Sequence, residues 1–217
     1  MEYPKIETLF DRDPKTFKVI ESKIRLPEFL MINKWRITEK IDGTNVRINY
    51  VPDNTVSIYG RTENAQMPTF LLNYLTKIFT IERFKQAFPD LKPDGVDMVT
   101  TYCEGYGPRI QKGGGNYRKD VSVRLFDVKV GKWWLEPDNI ESVAQKLGVK
   151  TVPTISDFTI EQAVAFVKTQ PLSQVANEDG GNLAYQMEGI VARTVPLLLR
   201  RNGERLMWKL KASDFKL

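Results

Sequence analysis

The tightest constraint on this chain is the step Lys40-Ile41-Asp42-Gly43, which separates two strand-like runs. Residues 35–40 precede it. In residues 45–50, Val46, Ile48 and Tyr50 alternate with Arg47 and Asn49, the period of a strand with one buried face. Asp-Gly between such runs predicts a hairpin, because glycine reaches φ > 0 without steric cost. The turn would hold Lys40 at its mouth, beside Asp42 and amide hydrogens freed by the turn. A lysine becomes a nucleophile where burial or a neighbouring cation favours the neutral amine. Beside a turn it is otherwise a solvated edge residue, and the rest of the chain decides between the two.

Composition removes most competing chemistries. The 217 residues include no histidine, so there is no Ser-His or Cys-His pair and no imidazole metal ligand. One cysteine, Cys103, excludes an intramolecular disulfide, argues against a zinc site and fits a reducing interior. No apolar run approaches the ~18 residues that span a bilayer, and the first ten residues lack the apolar core of a signal peptide. A cytoplasmic monomer is expected. The net charge of +5 and a pI near 9.2 favour a polyanionic partner. The remaining chemistry runs on Lys, Arg, Asp, Glu and an oxygen-bound metal such as Mg²⁺. No Walker or Rossmann fingerprint is present.

Residues 1–33 read as irregular, with a short helix and punctuation by Pro4, Pro14 and Pro27. Residues 34–61 predict three strands, 35–40, 45–50 and 56–61, with Pro52-Asp53-Asn54 turning between the last two. Arg61 is a surface arginine or a phosphate clamp. Leu71, Tyr74, Leu75, Ile78 and Phe79 predict a helix within 69–88, closed by Pro89. Residues 96–104 predict a buried strand running into Glu104-Gly105-Tyr106-Gly107. There Glu104 either approaches a ligand or sits solvated in a turn, and Cys103 is a small buried hydrophobe. Residues 108–119 read as a mobile, basic, glycine-rich loop. Arg109, Lys112, Arg118 and Lys119 in it suit a nucleic-acid backbone or plain solvation.

Residues 122–130 predict a strand with Val123, Leu125 and Asp127 on one face and Phe126 and Val128 on the other. Residues 132–135 return across Gly131. Helices follow, from Pro137 to Leu147 and from the Thr159/Gln162 capping box to before Pro171. Residues 173–187 read as a loop. The last strands, 186–194 and 204–211, carry Glu188-Gly189 and the pair Lys209 and Lys211, which share one face. That pair either binds an anion or guards an edge strand. No linker is evident, so residues 1–217 read as one domain.

In this order the motifs resemble the covalent nucleotidyltransferase superfamily of polynucleotide ligases and capping enzymes. The nearest likeness is the nick-sealing RNA ligase branch, typified by the second RNA ligase of phage T4. Lys40-Ile41-Asp42-Gly43 matches the nucleophile motif, and Arg61 the arginine after it. Glu104-Gly105-Tyr106-Gly107 and Leu125-Phe126-Asp127-Val128 resemble the third motif and its companion. Glu188-Gly189-Ile190-Val191 and Lys209-Leu210-Lys211 resemble the fourth and fifth. Together they cover the chain from about Glu39 to Lys211.

The resemblance implies an α+β fold of two antiparallel β-sheets flanked by helices, the ATP-grasp-like nucleotidyltransferase domain, with ATP between the sheets. It implies that Lys40 attacks the α-phosphorus of ATP, giving lysyl-AMP and pyrophosphate. AMP then passes to a 5′-phosphate, and a 3′-hydroxyl displaces it. Glu39 would lie beside the adenine, with Ile41 among the nucleotide contacts. Asn45 and Arg61 would hold phosphates or sugar, Glu104 the ribose, and Phe126 would stack on adenine. Glu188 would hold Mg²⁺ or Mn²⁺, while Lys209 and Lys211 hold the α-phosphate. Only six residues follow Lys211, where relatives continue into an OB-fold or other domain, so either a minimal adenylyltransferase core or a fragment of a longer ligase is expected. RNA ends are the expected substrate, with DNA or a hybrid behind them. The alternatives are a DNA ligase core, a capping-type guanylyltransferase, and a nucleic-acid-binding module that retains the fold.

Overall fold

Period-2 patterning dominates the chain, and strands dominate the computed structural model, which describes residues 2–52, 55–62, 64–92 and 98–215. The first strands are β1 (Glu7–Thr8), β2 (Phe10–Arg12), β3 (Val19–Ile24), β4 (Trp35–Lys40), β5 (Thr44–Val51) and β6 (Thr55–Tyr59). Helices α1 (Thr69–Ile78) and α2 (Ile81–Ala87) follow. Next come β7 (Val99–Tyr106), β8 (Ser122–Val130), β9 (Trp133–Trp134), α3 (Pro137–Leu147), β10 (Lys150–Thr151) and β11 (Thr154–Phe158). The chain closes with α4 (Ile160–Lys168), α5 (Gln174–Glu178), β12 (Gly189–Arg193) and β13 (Met207–Lys211). Asp53, Asn54, Val96 and Asp97, which belong to two of the expected elements, lie outside the described residues. Among the described residues no helix is long and apolar enough to cross a membrane.

These elements form two units. The first holds Tyr3 and Asp42–Val152, the second Pro4–Ile41 and residues 153–215. In the first, strands run in the order β10-β8-β7-β5-β6, with β9 paired to β8. All pairs are antiparallel except β10 with β8. One face of this sheet (Val46, Ile48, Tyr50, Val99, Cys103, Leu125, Val128) buries itself against Leu71, Leu75, Phe84, Ala144 and Leu147 of the three helices. Burying each large aliphatic side chain is worth about 1.5–3 kcal/mol. The helix expected over 69–88 is broken at Thr80, whose hydroxyl accepts from Arg83 N (3.4 Å) and starts α2. α3 runs as expected, with proline in its first turn and Gly148 at φ 71° ending it.

The second unit has the order β1-β13-β12-β4-β11, with β1 parallel to β13. Trp35, Ile37, Ile190, Ala192, Trp208 and Leu210 pack on Ala163 and Val167 of α4. α4 has the full capping box between Thr159 and Gln162. β2 and β3 form a hairpin in a region that reads as irregular in sequence.

Three expectations are corrected. Strands β4 and β5 do not form a hairpin, because they belong to different sheets. Both edges of β4 are taken by β12 and β11, and both edges of β5 by β6 and β7. β13 is an interior strand between β1 and β12, so its lysines guard no edge. A register shift opposite Tyr102/Cys103 leaves Phe126 unopposed in the ladder, and Val128 rather than Asp127 then continues the core face of β8.

Burial pushes the Cys103 thiol well above its ordinary value, and the nearby Glu104 carboxylate adds to the effect. Iodoacetamide at pH 8 should leave native Cys103 unmodified for hours and alkylate it within minutes in denaturant, as read by intact mass. Rapid native alkylation would contradict this packing.

Candidate active site

In the second unit, sheet register builds the centre of the site. Gly189 on β12 faces Lys40 on β4 on one side and Lys211 on β13 on the other. Directly opposed residues share a face, so two lysines flank a residue without a side chain. The glycine is required by space. A Cβ there would run into the carbonyl oxygen of Leu210 and lie 2.8 Å from Lys211 Cα. Glu188, one residue earlier, reaches both lysines: Lys40 Nζ donates to its Oε2 (2.5 Å) and Lys211 Nζ meets its Oε1 (2.8 Å). Lys209 stands on the same face two residues before Lys211, opposite Val191. A carboxylate therefore sits between the two cations. With both side chains less than a quarter exposed, the Lys40 contact is worth about 1.5–3 kcal/mol, while the Lys211 contact, whose lysine is 43% exposed, is screened to about 1 kcal/mol or less.

Glu39 points to the opposite, core face. Its buried carboxylate accepts from Ser173 Oγ (2.5 Å), Gln174 N (2.8 Å) and Val175 N (3.1 Å). It thus caps α5, a helix that lies where a loop was expected. The Glu39 side chain is committed to this helix, and Ile41 is buried.

In the first unit, Gly43 does not take a positive φ. Its lack of a side chain instead admits a close neighbour, since a Cβ would collide with the Gly105 carbonyl and lie 2.9 Å from Glu104 Cγ. Asn45 faces Glu104 directly across β5 and β7. Arg61 is exposed just past β6. Phe126 meets Tyr3 edge-on at 5.1 Å, and the Tyr3 hydroxyl donates to Asp127 Oδ2 (2.7 Å).

The glycine-rich loop is folded, which corrects the mobile loop expected from sequence. Gly114 packs on the Gly107 backbone so closely that a Cβ would overlap it. Tyr117 is fully buried, and its hydroxyl oxygen accepts from Asp42 N (2.9 Å). Gln111 Nε2 donates to Gly43 O (3.0 Å). Arg109 lies over the Phe70 ring at 4.5 Å, and Arg118 pairs with Asp120 at 2.6 Å, while Lys112 and Lys119 are exposed. No three acidic or cysteine side chains cluster as a metal cage among the described residues.

The sequence profile of the RNA ligase family matches residues 33–211. The chain belongs to the RNA ligase family. No match was found among curated proteins. Solved structures of Naegleria gruberi RNA ligase share the fold. A mutant with ATP and Mn is 18% identical at a TM-score of 0.64, aligned over 97% of this chain and 56% of that one. A mutant with AMP and Mn gives 18% and 0.62 over 99% and 58%, and the ligase with PPi 18% and 0.63 over 98% and 62%. The chain thus spans less than two thirds of the length of these ligases.

In this RNA ligase family member, sequence reasoning missed Tyr117, Gln111 and Ser173. Gln111 and Tyr117 are an amide and an aromatic inside a run that reads as basic loop. Ser173 follows Pro171 at an N-cap position, a usable signal. Removing Glu39 by Glu39→Ala leaves three donors unpaired and should lower stability by about 2–3 kcal/mol in urea unfolding. Tyr117→Phe removes the acceptor for Asp42 N. It should cost about 1 kcal/mol in the same assay, and slow any reaction at Lys40 more than it weakens nucleotide binding.

Proposed function

We propose that the protein is an ATP-dependent RNA ligase that works through lysyl-AMP on Lys40. The observation that carries this is the convergence of Lys40 and Lys211, opposed across Gly189, on the carboxylate of Glu188, from three separate motifs. Membership of the RNA ligase family and a fold shared with a ligase solved with ATP, AMP and Mn support it.

An ammonium group has no lone pair, so the Lys40–Glu188 pair is a resting state. Glu188, 2.5 Å from Nζ, would release Lys40 on turning to the incoming divalent cation, and Nζ beside that cation would give its proton to water. The amine then attacks the α-phosphorus of ATP. The N–P bond forms, the bond to the bridging oxygen breaks, and pyrophosphate leaves with the electron pair. Lys211 and Lys209 hold the α-phosphate. As Lys211 turns to the phosphate, Glu188 Oε1 is released.

A divalent cation, Mg²⁺ or Mn²⁺, supplies neutralisation of the triphosphate charge. One carboxylate with phosphate oxygens and water suits such an ion, and Glu188 is that carboxylate. Asn45 and Arg61 bind phosphate or sugar, Glu104 the ribose, and Phe126 the adenine face. Glu39, with its carboxylate spent on α5, contributes through its backbone, and Ile41 through its neighbouring peptide. AMP next passes to the 5′-phosphate of an RNA end, and the 3′-hydroxyl of a second end displaces it. Arg109, Lys112, Arg118 and Lys119 contribute to holding RNA. Residues 1–217 act as one nucleotidyltransferase domain, a cytoplasmic monomer, with DNA and hybrid ends as poorer substrates.

Incubation with ATP and Mg²⁺ should give an AMP adduct located on Lys40 by peptide mass spectrometry and absent from Lys40→Ala. An adduct from GTP in place of ATP would move the protein to the capping-type class. No adduct from ATP, GTP or NAD⁺ on folded protein would overturn the proposal.

A further inference from the structure

On the first unit's sheet, the face turned away from the helices holds a charged group that the reaction above does not use. Asn45, Arg47 and Asn49 project from it in succession along β5, between the core residues Val46, Ile48 and Tyr50. Arg47 is only 1% exposed. Its Nε is sealed from solvent and has no hydrogen-bond partner. Among the described residues no carboxylate pairs with it. Its guanidinium carbon lies 5.2 Å from the ring centre of Tyr59, the residue opposite on β6. Asn45 Oδ1 and Asn49 Oδ1, on either side, are likewise sealed and without a partner.

A buried charge without compensation is among the most costly features a core can carry. Lysine and histidine escape by losing a proton, and arginine does not. The acids on this face are placed for other work. Glu104 faces Asn45, and Asp127 takes the Tyr3 hydroxyl on β8, two strands away from β5. Among the described residues neither forms an ion pair with Arg47, which is left without an anionic partner.

We propose that Arg47 anchors a phosphoryl-binding site on this face, flanked by Asn45 and Asn49, a proposal that rests on the adenylyltransferase function above. The planar guanidinium fork matches two oxygens of one phosphoryl group. Rotating either asparagine amide turns its Nδ2 toward the same anion. Glu104 bounds the site on the Asn45 side and disfavours a second anion there. The phosphoryl group belongs either to ATP or to the 5′-phosphate of the RNA strand.

The test uses Arg47→Met, with Arg47→Lys as the partial replacement that keeps charge without the fork. Both are made with and without Lys40→Ala, which prevents consumption of ATP. Because Arg47→Met removes an uncompensated charge, the ligand-free Tm should be unchanged or higher. Affinity for one phosphoryl ligand should fall about tenfold or more, with Arg47→Lys between the two. Loss of ATP affinity assigns the site to the nucleotide. Retained ATP affinity, with loss of the preference for 5′-phosphorylated over 5′-hydroxyl RNA of the same sequence, assigns it to the strand. A clear fall in ligand-free Tm would show that the guanidinium is structural and overturn the proposal, as would affinities for both ligands within about threefold of the parent. Lysyl-AMP formation by the wild-type protein is scored separately. Its absence overturns the ligase function, while the binding measurements still report on the anion site.

Discussion

One carboxylate held between two lysines organises the second unit's functional face. Glu188 reaches Lys40 and Lys211 because three strands are in register at Gly189. A slip of one residue in any of the three would send its side chain to the core face. The same register places Trp208 and Leu210 in the apolar core. Core packing therefore fixes the site: the hydrophobic alternation that selects the register also selects which lysines meet. Gly189 completes the arrangement by leaving the space into which β13 closes.

Adjacent residues on β4 do opposite jobs for the same reason. Lys40 faces the polar side, where its charge partner can be exchanged for a substrate phosphate. Glu39 faces inward and is consumed by three donors at the start of α5. A five-residue helix is marginal by itself, so the buried carboxylate holds α5 in place as much as α5 satisfies the carboxylate. Lys40 thus leaves a strand whose last inward residue is clamped, and two residues later the Asp42 amide is held by Tyr117. The chain on both sides of the lysine is fixed while its side chain stays exchangeable.

Much of this was legible in sequence, because residues that do chemistry come in spaced motifs. Lys40, Gly189, Glu188 and Lys211 were recognisable as such, and the strands carrying them follow their alternation. What sequence could not show was who pairs with whom. The Asp-Gly step looked like a hairpin because a local signal knows nothing of β12, about 150 residues on, which competes for the edge of β4. Gly43 was read as a conformational glycine and proves to be a spatial one. The run Gly113–Gly115 suggested mobility, yet the absence of side chains is what lets Gly114 press on Gly107 and seat Tyr117. The face assignment of Asp127 failed on a single irregularity in the β7–β8 ladder. Such shifts leave no mark in composition.

The histidine-free chemistry places its demands on how cations are stored. Most of the arginines and lysines near the two polar sheet faces have an exchangeable or structural partner. Lys40 and Lys211 share Glu188. Arg36 pairs with Asp157, and holds that carboxyl below its ordinary range. Arg124 donates to the Tyr106 hydroxyl and the Thr151 carbonyl. A carboxylate partner keeps a cation folded and ready, and a more highly charged phosphate can displace it. A carbonyl or hydroxyl partner fixes the cation permanently, since it satisfies the donor without inviting exchange. Arg47 belongs to neither class, because burial has removed water without supplying an anion. A buried cation of that kind is what an anion brought by the substrate would complete.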